Sequence, residues 1–289
     1  MTFEMSAGLA RELEIRSTRK DELLQYLGSS ASLDTWTQGS NKNIVAEQTR
    51  RITRFIPPKG RVLDVGFGVG FSSMELGRLG YSVTGVEPSS VNIEIASRAA
   101  EKFGVNFTGV HSTAEEMNKC VSGPFDAVYF NSSLHHCDDP QAALANSFSL
   151  LNDGGVVILI EPTLKPWRSK AWFYRQLEIN PVEMGHYGGN EHIYYNWEYD
   201  AMLRRAGFDR ISYRSIFAEM DLRSYIVMKV QWKTEGEFTH GLSGIAARVA
   251  YYAMMEKMSQ TWAFNALYKS LSLGDGLWVA RRVTKEVAR

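Results

Sequence analysis

Cysteine is almost missing from this chain: Cys120 and Cys137 are the only two in 289 residues. Two thiols cannot build a disulfide framework, and their spacing fits no Cys-x-x-Cys pair, so reduced thiols in a cytoplasmic protein are expected. Net charge is missing too. Lys+Arg and Asp+Glu stand at 32 each, which removes any bulk attraction to nucleic acid or to an anionic membrane. The basic clusters at 16–20 and 49–54 read as solvated helix faces. No apolar run approaches the ~18 residues of a membrane span. The opening MTFEMSAGLARELEIR lacks the apolar centre of a secretory signal. Repeats and low-complexity segments are absent as well.

What the chain does contain is material for a core. Its hydrophobic content of 44% suits one enlarged globular domain over 1–289. From residue 60 onward short β-rich runs alternate with helical patterns: RVLDVGF (61–67), SVTGVE (82–87), VNFTGVH (105–111), FDAVYF (125–130) and GVVILIE (155–161). Helices are expected in FSSMELGRLG, SSVNIEIASRAAEKFG, TAEEMNKC and DPQAALANSFSLLNDGG, and later in NWEYDAMLRRAGF. Two more strands follow, RISYRSIF (210–217) and GLWVARRV (276–283). Near-continuous apolar strands separated by amphipathic helices imply an α/β fold whose sheet is covered on both faces. Ligands then sit at the C-terminal strand ends.

The stretch VLDVGFGVGFSS, residues 62–73, runs a strand into Gly66-x-Gly68-x-Gly70 and then a helix. Missing Cβ atoms let backbone approach a ligand closely. The dinucleotide fingerprint would need glycine at position 71, which is Phe71, and no P-loop Gly-Lys-Ser/Thr follows. Asp64, two positions ahead of the first glycine, suits a cationic ligand group better than a pyrophosphate. Glu87 ends the second strand, ahead of Pro88, where a carboxylate can accept both hydroxyls of a ribose.

VLDVGFGVG, the Glu87 strand end, STAEEM, FDAVYFNSSLHH and LLNDGGVVILIEP together resemble the class I S-adenosylmethionine-dependent methyltransferases, closest to the small-molecule group that modifies ubiquinones and sugars. The resemblance covers roughly 50–217 plus the final strand. It implies a Rossmann-like sheet of seven strands, the last antiparallel, with S-adenosyl-L-methionine as cofactor. The pattern along the chain reads as a helical cap over 1–55, a cofactor-binding core over 56–161 and substrate-side insertions at 162–195 and 218–273, before the last strand at 276–283. Asp64 and the Gly66, Gly68 and Gly70 backbone would hold the methionine end, Glu87 and Pro88 the ribose. Thr113, Ala114 and Glu115 would meet the adenine where relatives often carry Asp-Ala-Glu. Asn131 and Ser132 would lie closest to the cofactor.

Methyl transfer from a sulfonium needs alignment and exclusion of water, and a hydroxyl acceptor also needs a base. His135 and His136 are the candidate bases, with no ground in sequence for choosing between them. Trp36, His186, Tyr187, Glu191, His192 and Tyr194 are candidate acceptor contacts. Five ligand-type residues in a row, His135 to Asp139, cannot all converge on one ion, because successive side chains at a strand end diverge. No metal is expected. Asp138 and Asp139 read as helix-start residues before Pro140, and Cys137 as a packed thiol.

The Met/aromatic pattern within 218–273 reads as core, as a homodimer contact or as an apolar lid. The expected reaction is methylation of a small-molecule hydroxyl or amine in biosynthesis. The alternatives are a non-catalytic cofactor-binding or regulatory module on the same fold and, behind it, an NAD-dependent oxidoreductase. A nucleic-acid acceptor lacks both a basic surface and an Asn-Pro-Pro-Tyr-type motif.

Overall fold

The computed structural model of the chain describes residues 6–38, 48–179, 190–215, 253–254, 257–272 and 274–283. The strands are β1 (Arg61–Val65), β2 (Ser82–Glu87), β3 (Phe107–His111), β4 (Phe125–Asn131), β5 (Leu151–Glu161), β6 (Asp209–Ser215) and β7 (Gly276–Arg281). They form one seven-stranded sheet in the order β3-β2-β1-β4-β5-β7-β6. Only β7 runs antiparallel to its neighbours, so the expected Rossmann-like sheet with a reversed last strand is what the chain forms.

The helices are α1 (Ala7–Ser17), α2 (Lys20–Ser29), α3 (Leu33–Gln38), α4 (Phe71–Arg78), α5 (Ser90–Phe103), α6 (Pro140–Leu150), α7 (Lys170–Ile179), α8 (Asn196–Arg205) and α9 (Trp262–Leu271). None among the described residues is long and apolar enough to cross a membrane.

Strand alternation sorts the core into two layers. Leu63, Val65, Val128, Phe130, Val157 and Leu159 face α6 and α8 on one side. Val62, Val83, Ala127, Tyr129, Val156 and Ile158 meet Ile52, Ile56 and Leu76 on the other. The chain leaves β1 toward β2 and β3, then returns to β4 and β5 on the opposite side. The crevice where the direction reverses, at the C-terminal ends of β1 and β4, is where such sheets hold ligands.

Two expected helices change. TAEEMNKC is a single 3-10 turn, Met117–Lys119. Asn146 of α6 donates to the Ala114 and Glu115 carbonyls at 3.2 and 2.7 Å, and so takes acceptors that a helix would use for its own ladder. The segment DPQAALANSFSLLNDGG is helical only to Leu150, because Leu151 pairs with Phe125 and opens β5. Its start is as expected: Asp139 accepts from the Gln141 and Ala142 amides, with Pro140 next.

Trp278 of β7 anchors the far half of the sheet. It is fully buried, packs against Tyr199 and Tyr213, and its Nε1 donates to Asp200 Oδ1 at 2.9 Å. Lys269 of α9 donates to the other oxygen of Asp200 at 2.6 Å. Trp278→Ala should therefore cost about 3–5 kcal/mol in urea unfolding. Trp262→Ala, at a position 85% exposed, should cost less than about 0.5 kcal/mol.

Candidate functional site

A cavity of about 300 Å³ opens at the predicted crevice. Asp64 to Val69 and Phe71-Ser72 form its floor, Val86-Glu87-Pro88 one wall, Ser112 to Glu115 another, and Asn131 to Ser133 the third. The N-terminal helix α1 covers it with Leu9, Glu12 and Arg16, and His136, Cys137, Asp138 and Asn190 complete the rim.

The glycine turn serves three different purposes. At Gly66, φ is +69° and an added Cβ would lie 2.5 Å from Ser133 Cβ, so the missing side chain lets the turn touch the loop after β4. Gly68 also has positive φ, but open space lies in front of it, on the ligand side. Gly70 packs against Ala96 of α5, 2.9 Å from a built Cβ, and is not part of the cavity wall.

Two buried carboxylates face this turn. Asp64 accepts from Ser73 Oγ at 2.7 Å. Burial above all pushes its carboxyl up to about 7; Ser73 opposes the rise and the neighbouring Glu87 adds to it. Glu87 Oε1 accepts from the Ser89 amide and Asn92 Nδ2, both at 3.1 Å, and Oε2 from the Gly68 amide at 3.0 Å. Burial raises Glu87 as well, against the pull of Arg16 and these donors.

The histidines sit in a 3-10 turn, Leu134–His136, rather than on a strand end. That geometry stacks the two rings side by side, centroids 4.1 Å apart, instead of sending them to opposite faces. Glu161, fully buried at the end of β5, organises the turn. Its Oε1 accepts from the Ser133 and Leu134 amides at 3.1 and 2.8 Å, and its Oε2 meets His135 Nδ1 at 2.6 Å. His136 Nδ1 donates to the Asn190 carbonyl at 2.8 Å, and both Nε2 atoms turn toward the Glu191 carboxylate, at 3.5 and 3.8 Å.

Burial pulls the His135 imidazolium down, but Glu161 and Glu191 together outweigh it and raise the group. His136 is pushed down to about 4, first by burial and then by His135, and is neutral at ordinary pH. The Asn190 side chain donates to the His136 carbonyl at 2.9 Å and to Glu12 at 3.2 Å, and Glu12 in turn holds Arg16. The cover helix is thereby tied to the histidine turn.

A family described as a methyltransferase domain matches residues 38–213, more than half of the chain. The chain belongs to that methyltransferase family. The ubiquinone biosynthesis O-methyltransferase of Caulobacter sp. (strain K31) is 36% identical over 107 residues, 36% of this chain and 42% of the relative. The tRNA 5-carboxymethoxyuridine methyltransferase of Escherichia coli (strain K12) is 33% identical over 106 residues, 36% of this chain and 41% of the relative. The match thus spans less than half the length of these curated relatives.

Among solved structures, the cyclase SpnF has a TM-score of 0.60 at 16% identity, with 98% of each chain covered. Haemonchus contortus phosphoethanolamine N-methyltransferase 2, in complex with phosphomonomethylethanolamine and S-adenosylhomocysteine, has 0.59 at 16% identity, covering 94% of this chain and 59% of its own. These likenesses establish the fold alone.

Within this methyltransferase domain, Asp64, Gly66, Gly68, Glu87, Pro88, Thr113, Ala114, Glu115, Asn131, Ser132 and His136 line one cavity. His135 lies behind His136, buried against Glu161. Trp36 is a correction: it is fully buried against Tyr26, Phe71 and Met74 and serves as core of the cap, not as pocket wall. The indole lost its expected role because α3 packs its apolar side onto α4 and α5. Tyr194 is half-buried and lies edge-on to Tyr199 of the core. The amide of His192 donates to the His135 carbonyl at 3.1 Å. His186, Tyr187 and most of the 218–273 insertion lie outside the described residues.

Sequence reasoning missed Glu161, Glu12, Arg16 and Asn190. Glu161 carried a signal, since it is a carboxylate closing the apolar run 156–160. The other three come together only through the fold.

The glycine contacts separate fold from ligand binding. Gly66→Ala should lower the thermal midpoint by several degrees, through its clash at Ser133 and a positive φ costing about 1–2 kcal/mol. Gly68→Ala carries a similar φ cost but no clash, so it should melt at a higher temperature than Gly66→Ala and show its larger defect in ligand affinity, measured by calorimetry.

Proposed function

We propose that this chain is an S-adenosylmethionine-dependent methyltransferase that methylates a hydroxyl or amine of a small-molecule acceptor. The observation that carries the reading is the pairing of buried Asp64 and Glu87 around an open glycine turn. Asp64 is an anion-forming group whose close partners are a hydroxyl and another carboxyl, so its charge lacks compensation. The ammonium of the cofactor's methionine end supplies that compensation in the cavity. Glu87 uses three of about four acceptor sites on protein donors, which leaves one for a ribose hydroxyl. The open space before Gly68 fits a ligand backbone lying against the turn.

Bound S-adenosylmethionine supplies a sulfonium methyl that an acceptor lone pair takes in line, while the carbon–sulfur electron pair returns to sulfur. The protein's part is to align, to exclude water and to take the acceptor's proton. Helix α1 covers the cavity through the Glu12–Arg16 pair. His136 faces the cavity with Nδ1–H fixed on Asn190, so its Nε2 lone pair is the proton acceptor nearest the rim. Asn190 holds that ring through Nδ1, and Glu191 and Glu12 supply negative charge toward the proton it gains.

The balanced net charge favours a small-molecule acceptor over tRNA. Labelled S-adenosylmethionine incubated with the chain and cell extract should mark the small-molecule fraction. Label in RNA would move the acceptor to nucleic acid, and binding without transfer to any fraction would leave a cofactor-binding module.

Asp64→Asn should weaken S-adenosylhomocysteine binding by roughly 10–100-fold, the worth of one charge-assisted contact of about 1.5–3 kcal/mol. Because Asp64 stands near 7 in the free chain and a cationic ligand selects its ionised form, binding expels protons. Affinity should therefore fall as pH drops below about 7 and level off above it. A pH-independent affinity in the parent chain would contradict the role of Asp64. His136→Ala should lower kcat by about 100-fold or more while S-adenosylhomocysteine affinity changes only a few-fold.

A further inference from the structure

The 134–136 turn and the 190–192 segment are locked together by hydrogen bonds running both ways. The Asn190 side chain donates to the His136 carbonyl, His136 Nδ1 donates to the Asn190 carbonyl, and the His192 amide donates to the His135 carbonyl. This clamp brings one ligand atom each of His135, His136 and Glu191 within 4.8 Å of one another. The separations of 3.5 Å from His135 Nε2 to Glu191 Oε2 and 3.8 Å from His136 Nε2 to Glu191 Oε1 are too long for good hydrogen bonds. They lie close to the ~3.3–3.4 Å expected between neighbouring donors around one tetrahedral ion with bonds of about 2.0–2.1 Å.

We propose that His135 Nε2, His136 Nε2 and the Glu191 carboxylate form a binding site for one divalent transition-metal cation, with open coordination positions beside the cavity.

The surroundings of the two rings are those of metal ligands. A ligating histidine donates its second ring N–H to a carboxylate or a carbonyl, which fixes the tautomer and aims the other nitrogen. His135 has Glu161 for this and His136 has the Asn190 carbonyl, at 2.6 and 2.8 Å. Glu161 is itself held by two backbone amides.

Charge points the same way. Glu191 interacts with Glu12 and Glu161. Three carboxylates thus gather around two imidazoles and Arg16, an excess that a cation relieves. Two imidazoles with one carboxylate select zinc, iron, cobalt or nickel over magnesium and calcium.

This deepens the methyltransferase reading and rests on it in one respect: with the ion bound, His136 Nε2 is a ligand and no longer the proton acceptor, and an acceptor oxygen on an open position beside the cofactor cavity would instead have its proton acidified by the metal. The site itself stands on geometry, so its test reads metal and not methyl transfer. The full chain is stripped with chelator and titrated with Co2+, following visible absorption. One equivalent per chain with d–d bands is expected, unaffected by a large excess of Mg2+. Glu191→Gln should abolish the bands while S-adenosylhomocysteine binding, measured separately, survives and shows the fold intact. Glu161→Gln, which removes only the support behind His135, should weaken Co2+ binding by roughly 10–100-fold. No bands in the parent chain, or bands unchanged in Glu191→Gln, would overturn the site. Loss of S-adenosylhomocysteine binding by the parent chain would instead sink the cofactor reading and leave the metal result standing.

Discussion

The Glu161 carboxylate is the constraint on which the rest of the site depends. A fully buried carboxylate at the end of a strand is costly unless its lone pairs are used, and here they are. Two backbone amides and one imidazole converge on it, and each belongs to the loop that follows β4. That loop would otherwise be free to take many conformations. Glu161 gives it one, and the two histidines come to lie side by side as a consequence.

The same loop reaches across to the cofactor side. Ser133 donates its amide to Glu161, sends its hydroxyl to the Val65 carbonyl at 2.6 Å and lies against Gly66. Any displacement of the glycine turn therefore moves the histidine turn. Coupling between the glycine turn and the two imidazole rings follows from packing alone, with no moving part required. Helix α1 adds a second link, since Glu12 joins Arg16, above the cavity, to Asn190, which grips His136.

Much of this was legible in the amino-acid sequence, because the relevant signals are local. Near-continuous apolar runs and the amphipathic stretches between them report the sheet. Asp64, the glycine turn and Glu87 report the ligand crevice by their order along the chain. What was not legible depends on contacts between distant segments. Trp36 has the residue type of a pocket wall, and only the packing of α3 onto α4 and α5 makes it core. His135 and His136 were read as diverging, the rule for an extended strand, whereas the 3-10 turn imposed by Glu161 lets them converge. The five-in-a-row argument against a metal holds for all five together. It says nothing of two neighbours joined by Glu191, some 55 residues further on.

The fold does not choose the chemistry. A cyclase and an N-methyltransferase share this sheet at 16% identity with the present chain. What differs among such proteins must therefore reside in the segments laid over the strand ends. In this chain the cavity wall is built from the ends of β1, β2 and β3 and the loop after β4, while the histidine turn is completed by residues 190–192 and α1, which enter from outside the sheet. The histidine turn meets the glycine turn through Ser133 rather than through a shared strand. The Glu161 carboxylate, at the end of β5 beyond β4, fixes the histidine turn that Ser133 ties to the glycine turn.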